Sequence, residues 1–487
     1  MNFYFRNIGS YMLVVFLLPL FLSCSASPKN ENNKPNVVII LADDMGYGDA
    51  GCYNPETKIA TPNINRLADE GILFTDAHAS GAWCVPSRYG LVTGKYPRAM
   101  SLNTRKSLIE PQQETIGSLM KRNGYRTAVV GKWHLGFDGA DFDNPGSISE
   151  MPGGPVERGF DYFFGMHASL DIPPYFYIEN NLAVQPPTGF IPDHSSSSAT
   201  SAVSGAFFRA GAVSPDFKHD EVLDKFLEKA DGFITDHTEN YNDEPFLLYF
   251  PMTAPHTPWL PKKQFIGKSD AGEYGDFMMQ VDDVVGKLIA QLERAGVLEN
   301  TIIIFSSDNG PVWFPEDVTQ YDHKSVGPLR GMKSDMWEGG SRMPFIVSYP
   351  AQFKKGKRSD HMIAFTDVLA TLADIVDDHS FAEKKFDSHS FLPVLMNPGY
   401  KEPVRTDLVI EKKVYRKGNW KYIHGSGQGG IELRYAPYAG KIKKKEIPGE
   451  LYNLRKDPSE RNNLYDQYPE KVKEMENELQ RVINGEI

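Results

Sequence analysis

The chain is 487 residues long, enough for about three domains of the usual ~150 residues. Its 41% hydrophobic and 24% charged residues exclude whole-chain disorder and leave apolar surface for a large core. Against 63 acidic residues stand 52 basic ones, a net charge of -11; this excludes bulk nucleic-acid binding and requires any anionic ligand to find a local basic pocket. Three cysteines, Cys24, Cys52 and Cys84, are too few for a disulfide scaffold.

The N-terminus carries Arg6 ahead of an apolar stretch, Tyr11 to Leu22. That stretch is shorter than the ~20 residues of a membrane span and fits the core of a signal peptide. Cys24 follows among small residues, in a pattern that resembles a bacterial lipoprotein processing site, with Phe21 where leucine is usual. The expectation is a signal peptide over 1–23, a lipid anchor on Cys24 and a polar tether over 24–35. Such a protein is exported, to the periplasm or the cell surface of a Gram-negative-type bacterium. Cleavage near Ala26, giving a soluble secreted product, is the alternative.

Beyond the tether, Asn36 to Leu41 is a largely apolar run that predicts a strand buried on both faces, followed by Asp43-Asp44. Thr61-Pro62 opens a helix, with Thr61 as N-cap, and Gly71 closes it. Thr127 to Val130 leads into Gly131-Lys132-Trp133-His134, and Phe246 to Phe250 leads into Ala254-Pro255-His256. Phe277, Val281, Val284, Val285, Leu288 and Leu292 recur at helical spacing, ended by Gly296. Thr301 to Phe305 leads into Ser307-Asp308-Asn309-Gly310. Strands alternating with helices predict an α/β fold, a large mostly parallel sheet flanked by helices. In such sheets polar chemistry collects beyond the C-terminal strand ends. The Ser-rich stretch from Ser195 to Gly205 reads as a mobile surface loop. From about residue 400 the pattern changes: Trp420 to Ile423 alternates like a half-exposed strand, Lys441 to Lys445 reads as a solvated hairpin face, and Pro469 to Asn484 as a terminal helix. These predict a smaller α+β C-terminal domain.

Asp43, Asp44, Asp308 and Asn309 end two apolar strands, so they can converge although far apart in sequence. Three carboxylates and an amide oxygen suit a hard dication such as Ca²⁺ or Mg²⁺. A lone aspartate at a strand end is more often a turn or cap; two pairs in one topological position argue for a shared task. Arg88, Lys132, His134, His256 and Lys333 fall in loops after strands or near a helix start. Burying several cations together requires compensating carboxylates or an anion. A tetrahedral oxyanion between a metal and these cations meets that requirement.

The segment CVPSRYGLVTG, Cys84 to Gly94, is similar to the sulfatase signature C-x-P-S-R followed by L-x-T-G, with Val92 in the variable place. LADDMGYGD (Leu41 to Asp49), TPNINRLADEG (Thr61 to Gly71), GKWHLG (Gly131 to Gly136), APHTP (Ala254 to Pro258), SDNG (Ser307 to Gly310) and GPLRGMKSDMWEGGSRMP (Gly327 to Pro344) follow in the family's order. On these motifs the chain is identified as a member of the formylglycine-dependent type I sulfatases. The resemblance implies an alkaline-phosphatase-like fold, with a catalytic domain over 36–395 and a C-terminal subdomain with an antiparallel sheet over 396–487. The prior of three domains then contracts to two. It also implies that a sulfatase-maturing enzyme oxidises Cys84 to formylglycine. One oxygen of the hydrated aldehyde attacks sulfur, giving a sulfated enzyme and expelling an alcohol. Asp43, Asp44, Asp308, Asn309 and the modified Cys84 hold Ca²⁺, with Mg²⁺ as alternative. Asp308 assists deprotonation, His256 with Lys333 serves the leaving oxygen, and Lys132 and Arg88 stabilise the hydrate and the charged oxygens. His134 takes the proton of the second hydroxyl, so that sulfate leaves. Cys52 has no such context and reads as a packed or free thiol.

The stretch GFDYFFGMHASLDIPPYFYIENN, Gly159 to Asn181, is similar to that of hexosamine/galactose-6-sulfatases. This implies a sulfated-glycan substrate, the 6-O-sulfate of galactose or N-acetylgalactosamine of mucin or chondroitin type. Asp171, His167 and His323 are the candidates for sugar hydroxyls. Tyr162, Phe163, Phe164, Tyr175 and Phe176 either read the sugar or build the core. Three alternatives stay open: another sulfate position or sugar, a phosphonate monoester or phosphodiester hydrolase on the same fold, and a catalytically silent glycan-binding lipoprotein.

Overall fold

The apolar run after Asn36 is the central strand of the protein. In a computed structural model of the chain, Asn36–Asp43 is buried along its whole length. The structure describes residue 1 and residues 34–98, 104–139, 141–196, 201–380, 387–436 and 446–486. The predicted export segment, Cys24 and Lys441 to Lys445 lie outside the described residues.

Thr301–Ser307 pairs in parallel with one side of Asn36–Asp43 and Phe246–Pro255 with the other. Arg126–Lys132 and Tyr162–Met166 extend the parallel block beyond Phe246–Pro255. On the opposite flank Arg342–Ser348 runs antiparallel to Thr301–Ser307 and to Ile72–His78. Among the described residues the sheet has 11 strands. It is mixed, with a parallel centre, as an alkaline-phosphatase-like α/β fold requires.

Strand alternation divides the core between the two faces. Val37, Ile39 and Leu41 pack with Phe74, Leu119 and Leu369 on one side; Val38 and Ile40 pack with Phe226, Val281 and Leu288 on the other. Helices Val222–Asn240 and Gly272–Arg294 supply the second face, and Cys84–Thr93, Ile116–Arg122 and Asp367–Ile375 the first. The aromatic stretch belongs to these cores: Phe163 and Phe176 to one, Phe164 and Tyr175 to the other, with Tyr162 packed at the edge. Its rings are core packing.

Two expected helix signals act differently. Thr61 occupies the cap position of Pro62–Asp69, but its hydroxyl accepts from Gly51 N at 3.0 Å instead of capping. Gly71 is needed for close approach, since a Cβ there would lie 2.5 Å from the Val347 carbonyl oxygen. Of the Ser-rich segment expected to be a mobile loop, residues 197–200 lie outside the described residues, and its last part departs from expectation. Ser201, Val203, Ser204 and Gly205 are buried, because the Gly205 carbonyl accepts from Trp259 N and the Thr257 hydroxyl, both at 2.8 Å.

Asp407–Ile410, Val414–Lys417, Trp420–His424 and Gly449–Asn453 form a separate four-stranded antiparallel sheet. Helix Pro469–Ile483 covers one face through Val472, Met475 and Leu479, while Leu408, Ile410 and Ile423 pack on Met336 and Trp337 from the other side. Both faces are therefore covered, and the expected half-exposed strand is buried from Lys421 to Ile423. Lys421 lies between Glu338 Oε1 at 2.9 Å and Glu460 Oε1 at 2.8 Å, all three buried. Glu338 also pairs with Arg342, which fastens this sheet to the central one. Removing one partner of a buried ion cluster leaves an uncompensated charge. Lys421→Met is expected to lower unfolding free energy by about 3–5 kcal/mol, read as a reduced denaturant midpoint.

Candidate active site

Four adjacent parallel strands end at one edge and deliver the polar groups there. Asn36–Asp43 brings Asp43 and Asp44, Thr301–Ser307 brings Asp308 and Asn309, Arg126–Lys132 brings Lys132 and His134, and Phe246–Pro255 brings His256. Gly131 has φ +142°, and a Cβ there would lie 1.9 Å from the Pro251 carbonyl oxygen, so only glycine lets these two strands close up before Lys132. Asp44 (φ +65°) and His134 (φ +57°) both adopt the left-handed conformation that non-glycine residues avoid. Asp44 N donates to Asp308 Oδ1 at 3.1 Å, and His134 N donates to the His167 carbonyl at 3.1 Å. These bonds hold the two strained turns.

Cys84 is the first residue of helix Cys84–Thr93, and Arg88 lies four residues on, on the same helix face. Arg88 is fully buried and donates from Nε to Asp308 Oδ2 at 2.9 Å and from Nη1 to the Lys132 carbonyl at 2.8 Å. Lys132 Nζ donates to Asp43 Oδ2 at 2.6 Å. Lys333 Nζ donates to both Asp44 oxygens, at 2.7 and 2.8 Å, and lies 3.6 Å from Cys84 Sγ. The Cys84 thiol faces Asp43 Oδ1 at 3.5 Å, and His256 Nε2 lies 3.6 Å from Asp44 Oδ2. Three carboxylates against Arg88, Lys132 and Lys333 sum to zero.

Burial alone would raise the Asp43 carboxyl, but Lys132, His256, Arg88 and Lys333 around it hold it well below the usual carboxylate range. Asp308 is pushed the other way, by burial first and then by the Asp43 charge beside it. His134 is held well below its ordinary value by burial, then by Lys132 and Arg88, which leaves a neutral imidazole. Its Nδ1 is buried without a hydrogen-bond partner. Burial also pushes the Cys84 thiol up, with Lys132 and Lys333 offsetting only part of the effect. As an unmodified thiol, Cys84 is protonated and a poor nucleophile.

Ligand atoms of Asp43, Asp44, Cys84 and His256 lie within 4.8 Å of one another, all four residues buried. The Asn309 side-chain oxygen is buried with no hydrogen-bond partner. Within that group of four the Asp43 and Asp44 carboxylates, with the orphaned Asn309 amide oxygen beside them, fit a hard dication, whereas the Cys84 sulfur and the His256 nitrogen do not favour one. Asp308 falls outside the tightest group, its oxygens being taken up by Asp44 N and Arg88.

Above this floor opens a cavity of about 420 Å³, lined by Cys84, His134, His256 and Lys333. Asp171 lies in its wall, with Oδ1 buried and unpartnered, 3.9 Å from His256 Nδ1. His167 and His323 do not line this cavity; His167 lines a second one, of about 480 Å³, with Ile172 and Pro174. His167 Nε2 pairs with the Pro174 carbonyl at 2.9 Å and its ring stacks on Phe176; burial pushes its pKa down to about 4. What it contributes is the carbonyl that holds His134. His323 is buried against Asp49, Nε2 to Oδ1 2.8 Å, while Asp49 Oδ2 accepts from Gly46 N at 2.7 Å. It therefore braces the loop after Asp44. Sequence reasoning overlooked Arg209, which donates to the Asp171 carboxylate, and Arg434 at the cavity mouth. Neither belongs to a motif. Cys52 is a half-buried free thiol, as expected, its pKa pushed up to about 12 by burial.

Comparison with known proteins agrees with this arrangement. The pattern described as Sulfatase matches residues 35–378, and that described as N-sulphoglucosamine sulphohydrolase, C-terminal, matches residues 332–485. The chain is 32% identical to an N-acetylgalactosamine-6-O-sulfatase of Bacteroides thetaiotaomicron, over 98% of this chain and 99% of that one. It is 29% identical to the N-acetylgalactosamine-6-sulfatase of Rattus norvegicus, over 78% of this chain and 69% of that one. Among solved structures, a sulfatase described under the metabolism of multiple glycosaminoglycans by Bacteroides thetaiotaomicron superposes with a TM-score of 0.79 at 32% identity, covering 93% of this chain and 99% of that one. Motif order, strand-end geometry and these likenesses converge: the chain belongs to the sulfatase family and is a sulfuric ester hydrolase.

Proposed function

We propose that the protein hydrolyses the 6-O-sulfate of galactose or N-acetylgalactosamine in mucin- or chondroitin-type glycans, after a maturing enzyme has oxidised Cys84 to formylglycine. The observation that carries the reading is Cys84 itself, buried at a helix start over a charge-balanced cluster, 3.5 Å from Asp43 and 3.6 Å from Lys333. The 6-sulfatase names of the two relatives support the sulfate position.

Formylglycine supplies a hydrated aldehyde, with one hydroxyl for attack on sulfur and a second through which sulfate is released. Asp43, Asp44, Asp308 and Asn309, with residue 84, are the groups that would hold Ca²⁺, and Mg²⁺ suits the same oxygen donors. Held there, a dication would supply positive charge to the otherwise neutral cluster and polarise a sulfate ester.

The remaining work falls to the chain's own side chains. Asp308, whose carboxyl is pushed up by burial and by the Asp43 charge beside it, takes the proton of the attacking hydroxyl. Lys132 and Arg88, buried and oriented by Asp43 and Asp308, face the developing negative charge without reorganising. His256 Nδ1 pairs with the Thr257 carbonyl at 2.7 Å, so Nε2 points inward and serves the leaving oxygen with Lys333. His134, neutral and with Nδ1 unpartnered, accepts the second hydroxyl proton. Asp171, offering an unpaired buried oxygen above His256, accepts from a sugar hydroxyl. Export on residues 1–23 and anchoring through Cys24 would place this chemistry where extracellular glycans are met.

A panel of monosulfated sugars tests the substrate. Matured enzyme is expected to release sulfate from 6-sulfated galactose and N-acetylgalactosamine at least about 100-fold faster than from 3- or 4-sulfated isomers or 6-sulfated N-acetylglucosamine, because a site built around one sugar face leaves polar groups unpaired with another. Release from a different carbon with the 6-sulfate retained overturns the assignment. Faster turnover of phosphonate or phosphate esters than of any sulfate ester would instead mark a phosphoester hydrolase.

A further inference from the structure

The catalytic floor is electrically balanced, yet the mouth of the cavity is not. Arg209 and Arg434 both line it, together with Asp171 and His256. Arg209 uses Nη1 for the Asp171 side chain and backbone carbonyl, and its guanidinium lies 5.1 Å over the Phe207 ring. That pair is neutral and fixed. Arg434 is different: it projects from the short helix Gly430–Tyr435, is exposed, and makes no hydrogen bond or ion pair with the described residues. It lines a cavity whose other long cationic side chains are engaged, Arg209 by Asp171 and Lys333 by Asp44.

We infer that Arg434, backed by the fixed Arg209, is a subsite for a second anionic group of the substrate, a uronate carboxylate or a second sulfate ester. The inference rests on the 6-sulfatase reading above and extends it. Both candidate groups present two or more oxygens in the plane that a guanidinium fork matches. The geometry also places Arg209: Asp171, which it orients, lies 3.9 Å from His256, the residue assigned to the leaving oxygen, so Arg209 stands on the sugar side of the scissile bond, and Arg434 lines the same cavity. The cavity of about 420 Å³ sits within the ~300–1,000 Å³ range of ligand pockets, and Trp83 and Ile431 give it apolar walls that strengthen charge pairing at its mouth.

The test compares three substrates: 6-sulfated N-acetylgalactosamine, its 4,6-disulfated form, and the 6-sulfated sugar linked to a hexuronic acid. Wild type is expected to favour at least one doubly charged substrate about tenfold in kcat/KM, mainly through KM, with the preference shrinking as salt rises. Arg434→Ala is expected to erase that ratio and Arg434→Lys to restore part of it. Preference for the disulfated sugar alone assigns a sulfate subsite; preference for the uronate alone assigns a carboxylate subsite. Equal wild-type rates on all three, or a ratio unchanged in Arg434→Ala, overturns the inference while leaving the 6-sulfatase reading intact. Calorimetric binding of the same sugars to Cys84→Ser protein, with and without Arg434→Ala, reads the same ratio without turnover. There too, equal affinities overturn it, whichever sulfate the active enzyme removes.

Discussion

Cys84→Ser is expected to lower sulfate release by at least about 10⁴-fold while leaving the fold unchanged, on the scale of losing an enzymatic nucleophile. Serine is close to cysteine in size, and the Cys84 side chain is buried against Asp43 and Lys333, so nothing in the packing resists the exchange. What is lost is the route to the aldehyde. A serine hydroxyl could still attack sulfur, but the resulting ester has no second hydroxyl for His134 to deprotonate and therefore no internal exit. The thiol fails for another reason: burial keeps it protonated. Protein isolated without maturation is therefore expected to match Cys84→Ser in rate, and mass spectrometry of residue 84 should track activity across preparations. Sulfate release near wild type from pure Cys84→Ser protein would refute the covalent scheme.

Arg88→Met is expected to damage both stability and rate. The Arg88 guanidinium binds Asp308, the Lys132 carbonyl and, at 3.6 Å, Asp43, without any exposure to solvent. Removing it leaves Asp308 and Asp43 close together with one fewer cation, an uncompensated buried charge worth about 3–5 kcal/mol. Loss of a preorganised cation facing the reacting oxygens adds a fall in kcat of about 10²–10³-fold. Arg88→Lys is expected to recover part of the stability and little of the rate, since an ammonium cannot span Asp308 and the Lys132 carbonyl together. Thermal unfolding beside kcat separates the two effects. An Arg88→Met protein with wild-type midpoint and rate would show that Arg88 neither holds the cluster nor serves the reaction.

Most of the floor was legible in the sequence because it obeys a rule of topology. Polar pairs such as Asp43-Asp44 and Asp308-Asn309 each follow an apolar run, and parallel strands must end on one edge, so spacing along the chain becomes proximity in space. The walls follow no such rule. Asp171 and Arg209 meet across 38 residues, Lys421 and Glu338 across 83, and no periodicity marks either pair. His167 and His323 show the converse: they stand near relevant residues in sequence, while their ring nitrogens are engaged by the Pro174 carbonyl and by Asp49. Burial of Lys421 was equally hidden, since an alternating run cannot say whether a second element covers its polar face.

The antiparallel sheet clamped through Lys421 has a consequence for how such an enzyme diversifies. The reacting groups lie between Asp43 and Lys333, whereas Ile431, Arg434 and Tyr435 reach the cavity from the helix between two strands of that sheet. That connection carries none of the reacting groups, and the ionic fastening of the sheet that bears it, Lys421 with Glu338 and Glu460, lies elsewhere. An exchange at Arg434 is therefore expected to alter which sugars enter while leaving both the reacting groups and the sheet's attachment in place.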